Sequence, residues 1–293
     1  AESGRPETVI LPNNAKIMYG YDQAGRAISI QNLRSNDQVI AAYDFVYDAN
    51  GNIISETSDQ PLDPIMPSGT LTYDYAVGNR LLKTNDIVCT FDNNGNMTAR
   101  GAATYEYDYE NRLSRVATPE GTWEYIYSSQ IHRVGMTRNS IPTQFLLDPK
   151  EMAFALAEFD GNGDPIAYYI YGLGLLYKED YTTDSEGRLY CYHYNITGHT
   201  VAMTDESETI VNRYAYTPFG IPAGEDENIS NPFRYAGRYG AMDDENGLIY
   251  MKARYYSYAD GRLINADPIG FQGGVNLFAY PNNPITQVDP FGC

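Results

Sequence analysis

At 293 residues the chain is long enough to bury one large β domain or two smaller ones. Twenty basic against 38 acidic side chains leave a net charge of −18, which repels nucleic acid and anionic membranes and argues against a phosphate-backbone partner. No apolar run reaches the roughly eighteen residues needed to span a bilayer. The opening AESGRPETVI has neither an initiator Met nor a basic-plus-apolar leader, as expected of a mature or trimmed fragment.

The 28 tyrosines, 26 glycines and 10 phenylalanines favour short strands joined by tight turns. No stretch holds helical periodicity over three turns. In chain order, YDQAGRAISI begins at Tyr21, YDANGNIISE at Tyr47, YDYAVGNRLLKT at Tyr73, FDNNGNMTAR at Phe91 and YDYENRLSRV at Tyr107. YIYSSQIHRV, from Tyr125, is a worn copy. Each unit has an aromatic-Asp pair, a few variable residues, Gly-Asn or Asn-Arg, then an alternating apolar segment. The Asp and Asn side chains bond nearby backbone and Gly supplies positive φ, so each unit predicts a hairpin turn followed by a half-buried strand. A lone hairpin is unstable, so such units must line up side by side in a twisted sheet. Their tyrosines are expected to stack in ladders from unit to unit. The expected fold is all-β, with the hairpins coiled into a hollow shell or barrel-like wall.

From 145 to 224 the repeat continues in looser form. KEMAFALAEF, around Met152, reads as either a short helix or a strand, and acidic AGEDENISNPF (223–233) as a boundary or surface loop. DGNGDP (160–165) has acids at calcium-loop spacing, but Pro165 stands where such a loop needs Gly, so a turn is expected. His132, His193 and His199 lack metal spacing, and Cys89, Cys191 and Cys293 form no CxxC, so neither a metal site nor a cofactor is expected. The sequons at Asn96, Asn195 and Asn228 are the chance matches that Asn-rich turns generate. Tyrosine stripes could present a sugar-binding face; at strand period they more often line a wall.

These phrases resemble the Rhs/YD-repeat family of bacterial polymorphic toxins and the C component of Tc insecticidal toxins, whose repeat animal teneurins share. NPFRYAGRYGAMDDENGLIYMKARYYSYADGRLINADPIGFQGGVNLFAYPNNPITQVDPFG (231–292) is similar to the family's Rhs-repeat-associated core along its whole length. The resemblance implies hairpin repeats over 1–144, degenerate repeats over 145–224, and a capping core over 225–293. It also implies a shell that sequesters a toxic polypeptide, its own C-terminal cargo, and frees it by self-cleavage after the second DPxG, at Cys293. Further shell segments or a plug domain are implied partners, and the implied location is secreted or on the bacterial surface. The catalytic carboxylates that the resemblance implies are Asp267 and Asp289, 22 residues apart, with Arg254 or Arg262 as the orienting cation. This chain departs from the pattern at Ser257, where the family commonly has Asp, and at Cys293, where it commonly has Leu.

Chemistry supports a paired site. Two carboxylates brought close share a proton and act as a unit, one as base to water and the other as acid to the leaving amide. Each DPxG aims its Asp by the fixed φ of Pro and the turn freedom of Gly. A Cys293 thiol nucleophile is the alternative, and it needs a matched His that the sequence does not show. The alternative function is an extracellular YD-repeat adhesion or carbohydrate-binding protein.

Overall fold

An aspartate can accept two backbone amides at once, and that local capacity builds the hairpins. The computed structural model describes residues 4–130, 132–150, 153–272 and 274–280, together with Pro284, Gln287, Asp289 and Gly292. In the repeat loops, Oδ1 of Asp48 accepts the amides of Asn50 and Asn52 at 2.9 and 2.8 Å. Asp92 does the same with Asn94 and Asn96, and Asp108 with Glu110 and Arg112. The fourth loop residue takes positive φ, 88° at Gly51 and Gly95 and 61° at Asn111, where a short polar side chain tolerates it. Just before each loop the pairing slips by one residue, at Val46/Tyr47, Thr90/Phe91 and Glu106/Tyr107, a bulge that sharpens the twist.

One repeat grips the next through its arginine and tyrosine. Arg26 lies over the Tyr47 ring, 4.7 Å from its centre, and Arg112 over Tyr127 at 4.9 Å. The same hydroxyls donate back to the Ala27 and Leu113 carbonyls at 2.7 Å. Stacking between like aromatics runs instead along single strands, as in Tyr19–Tyr21, Tyr43–Phe45, Tyr192–Tyr194 and Tyr214–Tyr216. The expected unit-to-unit ladder is therefore corrected for these rings: residues two apart share a face and stack, while the step between repeats is cation–π.

The chain forms two compact units. The first, Ala1–Met66, Tyr168–Pro218 and Pro222–Tyr239, holds five antiparallel strands in chain order from Thr8–Ile10 to Ile53–Asp59. It also holds the antiparallel run from Gly174–Asp180 to Pro222–Glu227. Its core gathers Leu11, Ile17, Ile30, Ile40, Phe45 and Val201. The second unit, Pro67–Ala167, Phe219–Ile221 and Gly240–Cys293, lines up consecutive antiparallel strands from Tyr73–Tyr75 to Ala155–Asp160. It adds a four-stranded sheet, Met242–Asp243, Leu248–Met251, Arg254–Ser257 and Arg262–Leu263. Trp123, Val116, Met97, Met251, Tyr256 and Ile264 are fully buried there. The fold is all-β, and no α-helix occurs among the described residues.

The segment read as helix or strand is a strand from Ala155; Glu151 and Met152 lie outside the described residues. The acidic stretch expected as a loop begins as a strand, Pro222–Glu227, which runs through the 224/225 division. Its register against Ile210–Tyr216 pairs Arg213 with Asp226, and that cross-strand ion pair turns acidic composition into strand pairing. The 144/145 division likewise falls inside a strand, Ile141–Leu147.

Candidate functional site: two carboxylates on one buried arginine

Arg254 opens the strand Arg254–Ser257, and its side chain is only 2% exposed. A guanidinium so buried must be met by anions and carbonyl oxygens. Its Nη2 lies 3.0 Å from Asp267 Oδ2 and 3.7 Å from Asp289 Oδ2. Nη1 donates to the Leu277 carbonyl at 2.9 Å, and Nε donates to the Gly292 carbonyl. One side chain thus gathers both DPxG aspartates and the backbone just beyond the second.

The turns hold the acids as their residue types predict. Asp267 Oδ1 accepts the Ile269 amide at 2.9 Å, and the Asp267 carbonyl accepts the Gly270 amide. Asp289 Oδ1 accepts the Gly292 amide at 2.9 Å. Gly292 has φ +67°, and a Cβ there would stand 2.6 Å from the Met251 carbonyl oxygen and 3.0 Å from the Arg254 nitrogen. Only glycine lets the chain pass this close. Asp267 and Asp289 keep 7% and 15% side-chain exposure, so both carboxylates are mostly dry without being sealed from water.

Of the two candidate cations the structure brings Arg254 to the carboxylates. Arg262 lies over the rings of Tyr75 and Phe278, at 5.2 and 5.3 Å, and donates to the Asn79 carbonyl. Burial holds its guanidinium below the usual arginine range. Cys293 lies outside the described residues. Burial pushes the Cys89 and Cys191 thiols up to about 11 and about 12, which leaves them protonated and unreactive near neutrality.

The carboxylate of Asp160, in the calcium-like loop, is taken up by the Asn162 and Asp164 amides, as in the other repeat turns. Among the described residues no group of three or more His, Cys, Asp or Glu is placed to hold a metal ion. His193 and His199 are buried and held neutral, their pKa values pushed down to about 3 by burial. His193 Nε2 bonds Thr204 Oγ1, and His199 Nδ1 accepts the Ala236 amide. His132 is half-buried in a repeat turn, its carbonyl accepting the Ser128 amide.

The sequence reading missed two buried ion pairs in the same unit. Arg100 holds Asp260 bidentately at 2.6 and 3.0 Å, and Asp260 also accepts from Thr84 and from Ser257, the position that departs from the family pattern. Arg133, caged by the rings of Tyr125, Phe145 and Tyr250, pairs with Asp244 at 2.6 Å. The only signal in sequence was charge within apolar strands, because the partners lie 160 and 111 residues apart.

A family model described as Teneurin YD-shell matches residues 4–280. The tRNA3(Ser)-specific nuclease WapA of Bacillus spizizenii is 32% identical over 264 residues, covering 85% of this chain and 11% of the relative. The double-stranded DNA deaminase toxin A of Burkholderia cenocepacia is 27% identical over 309 residues, covering 94% of this chain and 20% of that protein. Among solved structures, that of TcdB2-TccC3 superposes with a TM-score of 0.72 at 18% identity, covering all of this chain and 19% of the other. The chain spans between a tenth and a fifth of the length of these proteins.

Proposed function

The chain belongs to the Teneurin YD-shell family, and from that premise we propose that it is shell from a polymorphic toxin that encloses its own C-terminal toxic polypeptide and frees it by aspartic self-cleavage after Cys293. The observation that carries the reading is the convergence on Arg254 of Asp267, Asp289 and the Gly292 carbonyl. Under this reading the repeats of 1–144 and 145–224 form the wall and 225–293 form the releasing module. The relatives named as a tRNA nuclease and a DNA deaminase toxin are consistent with a shell that serves different cargoes. The cargo is a polypeptide carried by the same gene product, further shell segments complete the enclosure, and the site of action is outside the producing cell.

In the cleavage step one carboxylate takes a proton from water as the water oxygen bonds to the scissile carbonyl carbon. The other, protonated, gives its proton to the leaving nitrogen as the C–N bond breaks. The products are a new carboxyl terminus and a new amino terminus, and the two carboxyls together end with the one proton they began with. Arg254 holds the acids and the preceding peptide group in register, a positioning role.

A chain extended past Cys293 should split there on purification, read by intact mass. Asp267→Asn or Asp289→Asn should leave it whole, because an amide neither takes nor gives the proton. A doubly substituted chain still cut at that bond would end the paired-carboxylate reading.

A further inference from the structure

Beside the carboxylates, within the same unit, lies a cavity of about 430 Å³. Asp267 and Pro268 form part of its wall, and Lys252 and Ala253 another part. Those two residues connect Met251 to Arg254, whose backbone Gly292 closely approaches, so Gly292 lies beside this wall. The loops of the Asp92 and Asp108 repeats contribute Asn94, Asn96 and Asn111. Asn111 Oδ1 accepts the side-chain amides of both others, at 2.8 and 2.9 Å, which leaves its own NH₂ to donate elsewhere.

Asn265, also in the wall, is 9% exposed, and its carboxamide has no hydrogen-bond partner among the described residues. That carboxamide borders a space large enough to supply a partner. The group that satisfies a carboxamide in both directions is another amide, as a polypeptide backbone offers in its paired N–H and C=O.

We propose that this cavity seats the few residues that follow the scissile bond, held in extended form by amide hydrogen bonds to Asn265 and Asn111. The inference rests on the cleavage reading above and adds its leaving-side subsite. Recognition is through backbone rather than side chains, so a single shell tolerates cargoes of unrelated sequence. The seat fixes the scissile carbonyl against Asp267 from the far side, while Arg254 fixes Gly292 on the near side.

The test uses the full chain extended past Cys293. Asn265→Leu keeps the size and removes the amide; the half-time of cleavage should lengthen about tenfold, the effect of one lost hydrogen bond to the bound segment. The cleaved bond should not change. A second measurement does not depend on that variant folding. In the uncleavable Asp267→Asn chain with Cys293→Ser, Ala253→Cys should form a disulfide with a cysteine placed a few residues past the bond, and not with one placed far downstream. Cys89 and Cys191 are buried and stay out of the exchange. Wild-type cleavage rates in Asn265→Leu, or equal capture of the near and distant cysteines, would overturn the seat while leaving the carboxylate mechanism standing. Selective capture in a chain whose parent is never cut would keep the seat and remove the mechanism.

Discussion

The two units tie distant parts of the chain together by different chemistry. In the unit that begins at Ala1, the buried long-range ties are neutral: Asn13 bonds Thr204 and Asn32 bonds the Tyr194 carbonyl, across 191 and 162 residues. Its buried ion pairs are local, Lys178 with Asp180 and Arg234 with Glu227. In the unit that ends at Cys293 neutral long-range ties, such as Asn246 to the Tyr125 hydroxyl, are joined by ionic ones, Arg133 with Asp244 and Arg100 with Asp260. An apolar core with neutral hydrogen bonds tolerates small adjustments. A buried ion pair does not, because removing one partner strands a charge in a dry place. That unit also carries Arg254 and its two aspartates.

The strongest way to break the contrast is at Arg133. Arg133→Leu should cost the second unit about 3–5 kcal/mol, because Asp244 is left buried and unpaired. Trp123, the single tryptophan, is fully buried in that unit and reports its unfolding by fluorescence in denaturant. Adding Asp244→Leu should recover most of the loss. If the double variant is no better than the single, packing around the aromatic cage matters more than charge.

Acid should separate the units next. His193 and His199, both in the first unit, have folded pKa values near 3 against about 6.5 when unfolded. The unfolded chain binds the protons first, so stability falls as pH drops through 6.5 and goes on falling towards about 3. At pH about 5 the loss is about 2 kcal/mol per histidine. Amide exchange in the strands Arg188–Tyr194 and Thr200–Thr204 should quicken accordingly. A pH-independent exchange rate-corrected profile there between pH 7 and 5 would mean that the histidines charge within the fold.

The smallest effect should be the same in both units. Asp48→Ala in the first and Asp108→Ala in the second each remove the acceptor of two loop amides and should lower the urea midpoint slightly. Equal urea-midpoint shifts would place the loop as a local device. Unequal ones would show that Arg112, stacked on Tyr127 and paired with Asp108, adds a tie that Asp48 lacks, since Asn52 stands at the matching position.

Much of the hairpin architecture was legible because it is local. Asp to amide two and four residues on, and positive φ at Gly51 or Asn111, are contacts within five residues, and no distant part of the chain can rearrange them. The DPxG turns were legible for the same reason. The direction of aromatic stacking was not, because Tyr47 has both an i−2 neighbour on its strand and an arginine from the previous repeat, and packing decides which it meets. Nor was the strand Pro222–Glu227, whose acidity is neutralised only once Arg213 lies opposite Asp226.

By itself, then, the sequence determined the repeat, the loop chemistry, the all-β class and two aspartates presented on matched turns, all set by neighbours along the chain. Tertiary structure decided which arginine meets those aspartates. Arg254 and Arg262 lie eight residues apart on adjacent strands, alike in charge and burial, and sequence spacing cannot rank them. The sheet places Arg262 over Tyr75 and Phe278 and leaves Arg254 facing Asp267. The same packing put the Asn94–Asn111 cluster and Asn265 around one cavity, because loops far apart in sequence become neighbours only when the sheets are in register.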